Sequence, residues 1–295
     1  MNQFDKILCI YSDESFQSRF KSICAVSGYK ENLDNLKNKL VGILEEFQVK
    51  ELKFIDVRTH SNKIDCCIEF INTSIDFAAE KLIRIDVLIW DIEDSRHKIS
   101  GRDEKENLER MYFHLLRNVI ERWNIINCEF YPDEHTEFEY KKIIDYLNLT
   151  KTPRTEPSII TLFKQERINF NFTKVESQKS NENHLIQLCD IFAGFASFSR
   201  ERSKEFKSWN IKKKDKNNLT LFDDQNSDED ENAKSTTKRF EIIEHISNKC
   251  KNRNISISLN TNNYLKTYDK NLSINFWHYE PQGDYDKAPT KRKRN

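Results

Sequence analysis

Glycine and proline are scarce in this chain, five of each in 295 residues, which excludes the collagen-like and linker-like architectures that need them in quantity. No apolar run approaches the roughly 20 residues that a membrane-spanning helix requires. The start MNQFDK lacks the basic and then apolar pattern of a secretory signal, so the expected location is the cytoplasm. No Cys-x-x-Cys pair occurs among the seven cysteines, Cys9, Cys24, Cys66, Cys67, Cys128, Cys189 and Cys250. Neither a zinc ribbon nor a disulfide framework is supported, and the cysteines read as reduced, buried small hydrophobes. Net charge is missing too, because 48 basic residues balance 48 acidic ones.

Aromatic residues are plentiful: 20 Phe, 10 Tyr and 4 Trp. Disordered chains are poor in them, so a packed core is expected. The length suits one elaborated domain, which at this size buries roughly 75% of the surface exposed by the unfolded chain. The zero net charge hides segregation. The run DDQNSDEDEN at 223–232 holds six acids and no base, which leaves the remainder at +6. A modestly basic body is compatible with a nucleic-acid partner without demanding one.

The order of elements reads as α/β, a mixed sheet flanked by helices. Residues 7–11 form a buried strand that ends in acids, and 19–29 its antiparallel partner. Leu33, Leu36, Leu40, Ile43, Leu44 and Phe47 recur at helical intervals, and a second amphipathic helix spans about 65–81. IRIDVLIWD at 83–91 has the length and branching of a central strand, and a helix follows over 104–123. IINCEFYPDEH is a second acid-terminated strand, broken at Pro132 because proline cannot donate to a ladder. A helix is expected over 138–149, strands over 159–163 and 168–175, and a strongly apolar helix over 184–200. Residues 203–237 are rich in Lys, Asn and Asp without periodicity and read as a charged disordered insertion or linker. A final helix and strand, at RFEIIEHISNKC and LSINFWHYEP, follow. The expected organisation is a core over 1–202, the linker over 203–237, and an extension over 238–295 that packs on the core.

Three acids stand where chemistry usually stands. Asp13 closes the first strand, Asp133 closes a later one, and Asp190 lies inside LIQLCDIFAGF, a helix apolar nearly all round. A buried carboxylate is costly unless it is paired or bound to metal. Glu51 in ELKF and Glu176 in ESQKS are alternative fourth acids, and Asp91 competes with Asp133 for the third position. Phosphoryl transfer by two metal ions needs three or four carboxylates converging from different elements, and magnesium favours such oxygen donors.

YSDES at 11–15, ELKF at 51–54, DSRHKISGRD with NLERMY, FYPDEH at 130–135, ESQKS at 176–180 and IQLCDIFAGF at 186–195 together resemble the domain-of-unknown-function family numbered 3800. The resemblance covers roughly residues 5–200. It implies a ribonuclease-H-like fold and a predicted metal-dependent nuclease, with Mg²⁺ or Mn²⁺ as cofactor. By similarity Asp13 is the first-strand acid that bridges both metals, Glu51 the helix acid, Asp133 the later-strand acid and Asp190 the acid of the last helix. A role in bacterial defence rests on family analogy alone.

Lys53, Arg58, Arg96 and Arg102, with His97 and Lys98, crowd two loops near these acids and are candidates to contact the phosphates of DNA or RNA. Glu14 alternates to the opposite face of an extended strand and reads as structural. His135 is a candidate for proton transfer, NFWHYEP at 275–281 for base stacking, and the tail TKRKRN for a phosphate contact. The competing expectation is a non-catalytic nucleic-acid-binding or defence-partner protein on the same fold. A hydrolase of a small phosphorylated molecule is a third.

Overall fold

The computed structural model describes residues 7–58, 61–94, 103–124, 127–134, 140–149, 151–153, 167–169, 171–218 and 231–280. Strands β1 (Leu8–Phe16) and β2 (Phe20–Tyr29) form an antiparallel hairpin, in register from Leu8 opposite Tyr29 to Phe16 opposite Lys21. The first strand is therefore longer than the sequence pattern suggests, and Asp13 sits within it, opposite Cys24. The polar Ser-Asp-Glu-Ser run stays extended because β2 supplies ladder partners along its whole length, satisfying the backbone groups that would otherwise be orphaned.

Helices α1 (Lys30–Glu46) and α2 (Ser61–Ala79) follow, with a 3-10 turn at Phe54–Asp56 between them. Strand β3 (Ile83–Asp91) pairs antiparallel with β2 and has the bounds that its branched apolar run predicts. Helix α3 (Glu104–Trp123) begins in a capping box, in which Asp103 accepts from the Glu106 amide and Glu106 reaches back to the Asp103 amide. These reciprocal bonds satisfy two of the free donors at a helix start. Strand β4 (Asn127–Pro132) joins β1 in parallel. After α4 (Tyr140–Leu149) come a short antiparallel pair, β5 (Lys151–Pro153) and β6 (Arg167–Asn169), and then β7 (Asn171–Val175), parallel to β4. The strand expected over 159–163 lies outside the described residues.

Helix α5 (His184–Glu201) is capped by Asn183, whose side chain accepts from the Leu185 amide. It buries all but a few of its residues, as its nearly continuous apolar sequence requires. Helices α6 (Ser203–Asn218) and α7 (Glu231–Asn252) lead to β8 (Ile274–His278), which pairs in parallel with β3. The sheet order is β7-β4-β1-β2-β3-β8, with β2 alone running against the other five. One face is covered by α1, α2, α5 and α7, the other by α3 and α4.

One expectation is corrected. Of the segment 203–237, the described residues are helical, in α6 and the start of α7. Phe206 is buried, its ring 5.4 Å from Phe240 and 5.5 Å from Trp209, so two aromatics among lysines hold a helix that has no regular apolar stripe. The acidic run at 223–230 lies outside the described residues. The strand of the C-terminal extension, β8, is an edge strand of the main sheet.

A buried ion cluster secures that edge. Asp86 of β3 is fully buried and pairs with Arg122 of α3 and, at 3.3 Å, with Arg84. Asn275 of β8 adds its amide to the same cluster. Removing one partner leaves the others charged in a dry environment, which typically costs about 3–5 kcal/mol. Asp86→Ala is therefore expected to lower the urea unfolding free energy by about that amount, against a few tenths for substitution of an exposed acid such as Glu80.

Candidate active site

The backbone of 51–54 is extended beside α5, so alternate residues face opposite ways. Leu52 and Phe54 turn inward and are buried. Two α5 side chains one turn apart, Gln187 and Asp190, accept from this segment. The Leu52 amide donates to Gln187 Oε1 at 3.0 Å and the Phe54 amide to Asp190 Oδ2 at 2.6 Å. Gln187 also donates through Nε2 to the Ser180 carbonyl at 2.8 Å. One helix thus clamps two loops. Outward-facing Glu51 and Lys53 are held as a result, 3.1 Å apart, and Ser180 Oγ donates to Glu51 at 3.0 Å.

Gly194, one turn further along α5, makes the clamp possible. A Cβ there would stand 2.1 Å from Phe54 Cγ and 2.5 Å from its Cβ, so only hydrogen fits between helix and turn. The Phe54 ring meets Phe195 edge-on at 5.1 Å.

Asp13 and Asp133 come from neighbouring parallel strands. Ser12 and Pro132 are register partners, and the Asp133 amide donates to the Ser12 carbonyl at 2.8 Å. The two aspartates are therefore next in register, Asp133 just past the carboxyl end of β4 and Asp13 inside β1. Asp133 is flanked by the loop before α5, in an isolated bridge to Gln178.

The electrostatics define the cluster. Asp13 is 8% exposed, and burial, followed by the charges of Asp190, Glu14 and Asp133, pushes its carboxyl well above the usual range. Burial raises Asp190 to about 6, opposed by the Phe54 amide and by Lys53. Asp133 is raised too, chiefly by burial, with the Glu134 amide and Lys53 pulling the other way. Lys53 interacts with Glu51, Asp190 and Asp133, which hold its ammonium above the ordinary value. The result is three aspartates that disfavour one another's charge, with Lys53 as counter-ion to Asp133 and Asp190.

The structure brings together Asp13, Asp133, Asp190, Glu51 and Lys53. It does not bring in Glu176, which is exposed and paired with Lys174 at 2.5 Å. Asp91 is taken by Arg19, whose Nε and Nη2 donate to it at 2.9 and 2.5 Å. Asp133 accordingly lies with Asp13 and Asp190, and Asp91 does not. Glu14 faces the other layer, where Tyr112 Oη donates to it at 2.5 Å. Arg58 is exposed beside the 3-10 turn. Arg96, Arg102, His97, Lys98 and His135 lie outside the described residues. Sequence reasoning missed the part played by Gln187, for which the signal was its spacing of three from Asp190, and it missed Lys53 as a counter-ion.

Every donor in the cluster is a carboxylate oxygen, the type that Mg²⁺ and Mn²⁺ prefer. Among the described residues, however, no three His, Cys, Asp or Glu side chains converge closely enough to hold an ion as they stand. Lys53 supplies the compensating charge instead.

No family model matches the chain. It is 34% identical over 300 residues to the uncharacterized protein ORF2' of Methanothermobacter thermautotrophicus, covering 97% of this chain and 99% of that protein. The uncharacterized protein ORF2 of the same organism is 32% identical over 293 residues, covering 95% and 97%. The chain belongs to the family of these ORF2 proteins. Both matches run nearly end to end, so the C-terminal helices and β8 lie within the shared length, as does the acidic cluster.

Because the carboxyl of Asp190 is raised, the native state holds a proton that the unfolded state releases between pH 4 and 6. Its contribution to stability is present below its ordinary value near 3.8 and is lost as pH rises through about 6. Asp190→Asn keeps an acceptor for the Phe54 amide without the charge. Thermal unfolding across pH is expected to show the variant melting a few degrees above wild type at pH 7, and the two coinciding near pH 4.

Proposed function

We propose that the chain is a metal-dependent nuclease on a ribonuclease-H-like fold, hydrolysing phosphodiester bonds of DNA or RNA in the cytoplasm. The observation that carries this reading is the set of three partly buried, mutually repelling aspartates, Asp13, Asp133 and Asp190, drawn from two adjacent parallel strands and a covering helix. Such a set is expensive to maintain without a cation to offset it. The sheet supports the reading as well. Its strands lie in the order β7-β4-β1-β2-β3-β8 with only β2 antiparallel, a mixed sheet flanked by helices of the kind that the resemblance implies. The resemblance to the family numbered 3800 points the same way.

Asp13, Asp133 and Asp190, completed by Glu51, are the residues that would hold Mg²⁺ or Mn²⁺. The ions, when bound, supply positive charge to the phosphoryl oxygens and acidify water. The chain's own groups do the rest. Gln187 and the Phe54 amide fix the orientation of the acids' supports, and Lys53, a point charge on a flexible stem, is free to turn from the carboxylates to a substrate phosphate. Arg58 is placed to contact the phosphate backbone. Membrane attachment has no part in this scheme; no helix among the described residues is long and apolar enough to cross a membrane.

A second reading, a nucleic-acid-binding or partner-binding protein that uses its acids structurally, is favoured by one observation. Lys53 already satisfies Asp133 and Asp190 in part, and among the described residues no three ligands converge as they stand. The two readings separate in one assay on labelled single-stranded DNA, duplex DNA, RNA and RNA–DNA hybrid, with Mg²⁺, Mn²⁺ or chelator. The nuclease reading expects metal-dependent cutting of at least one polymer, reduced to background by Asp13→Asn or Asp190→Asn. It is abandoned if folded protein cuts nothing, or if both variants cut as well as wild type. Gln187→Leu, which removes a support and no ligand, is expected to cut roughly 10–100-fold more slowly.

A further inference from the structure

Arg239 of α7 reaches across to the turn that carries Phe54. Its Nε donates to the Val57 carbonyl at 2.9 Å and its Nη2 to the Phe54 carbonyl at 3.1 Å and the Ile55 carbonyl at 3.4 Å. The guanidinium lies 4.3 Å from the Phe54 ring centre and 5.3 Å from that of Phe198. Arg58 Nε donates to the same Ile55 carbonyl at 2.8 Å, so two guanidiniums share one acceptor. A third arginine, Arg202, follows at the C-cap of α5, where its amide donates to the carbonyl of Phe198, the residue whose ring Arg239 also faces.

Like charges gathered this way repel. Burial and the charges of Arg58 and Arg202 together hold the basicity of Arg239 down to about 10. The acids at hand are engaged elsewhere or serve only one member: Asp56 pairs with Lys63 at 2.9 Å, and Glu205 with Arg202 at 2.8 Å. Among the described residues, no carboxylate bridges the three. Guanidinium forks match the oxygens of a phosphate in geometry and charge. The position is telling, since the amide of Phe54 holds Asp190 while its carbonyl holds Arg239, so the arginines and the carboxylates flank a single residue.

We propose that Arg58, Arg202 and Arg239 form a phosphate-binding site that grips the backbone of a nucleic acid strand beside the carboxylate cluster. The site joins the loop after the 3-10 turn, the end of α5 and α7, and it gives the part of the chain beyond residue 202 a share in substrate binding. The proposal rests on the reading of a nucleic acid as substrate, and does not need cleavage to occur.

The test measures binding of labelled single-stranded DNA and RNA to the full chain by fluorescence anisotropy over a range of salt, with chelator present so that nothing is cut. Wild type is compared with the double variant Arg58→Gln/Arg202→Gln, whose two sites are exposed and should fold, and with Lys81→Gln at the opposite end of the sheet. Arg239→Lys, checked for folding by circular dichroism, probes the central member. Removing two phosphate contacts is expected to weaken binding by tenfold or more, and to make the slope of log affinity against log salt shallower by about 1.4. Lys81→Gln should bind as wild type does, and whichever polymer loses affinity in the double variant is the one the site serves. An unchanged affinity and slope in the folded double variant overturns the arginine site and leaves the nuclease reading standing. Folded wild type that binds neither polymer overturns both.

Discussion

Two hydrogen bonds one helical turn apart organise the candidate site. Gln187 and Asp190 of α5 take the Leu52 and Phe54 amides, and since α5 is itself buried against β1 and β2 through Ser22 Oγ to the Ala193 carbonyl at 2.7 Å and much apolar contact, the loop inherits the rigidity of the sheet. Everything that faces the site from that loop, Glu51 and Lys53 above all, depends on this grip. Gly194 allows it by keeping the helix surface clear where Phe54 lies. Arg239 completes it from the other side by taking the carbonyls of the same turn.

The clamp also explains why the acids are tolerated. A carboxylate taken out of water without a partner costs several kcal/mol, and Asp13, Asp133 and Asp190 share that problem. Backbone amides answer the larger part of it for Asp133 and Asp190, and Lys53 adds to them. Among the described residues, Asp13 has only its neighbour's amide, from Glu14 at 2.7 Å, and it is the acid whose carboxyl burial and neighbouring charge raise most plainly. The imbalance is greatest at Asp13, which makes it the place where a bound cation gains most.

The fold was legible where one local signal dominated. The branched run at Ile83–Asp91 and the apolar helix at His184–Glu201 stand almost where their patterns put them, because each is buried on nearly every side. Asp190 was readable as a carboxylate on an apolar helix, and Asp13 and Asp133 as acids that close strands. What escaped was whatever depends on a distant partner. Asp13 lies inside a strand because β2 pairs past it, and nothing in Ser-Asp-Glu-Ser announces that. Helix α6 depends on Phe206 and Trp209 meeting Phe240, two aromatics too sparse to form a pattern. The burden on Lys53 and the gathering of Arg58, Arg202 and Arg239 come from loops and helices far apart in the chain, which no spacing rule connects.

The central claim is that the aspartate cluster exists to take a divalent cation, and titration calorimetry with Mn²⁺ in the absence of nucleic acid tests it most directly. Saturable binding by wild type, lost or strongly weakened in Asp13→Asn while that variant stays folded, is the predicted result. Absence of saturable binding by folded wild type, or binding unaffected by Asp13→Asn, would contradict the account and leave Lys53 as the cluster's permanent counter-ion.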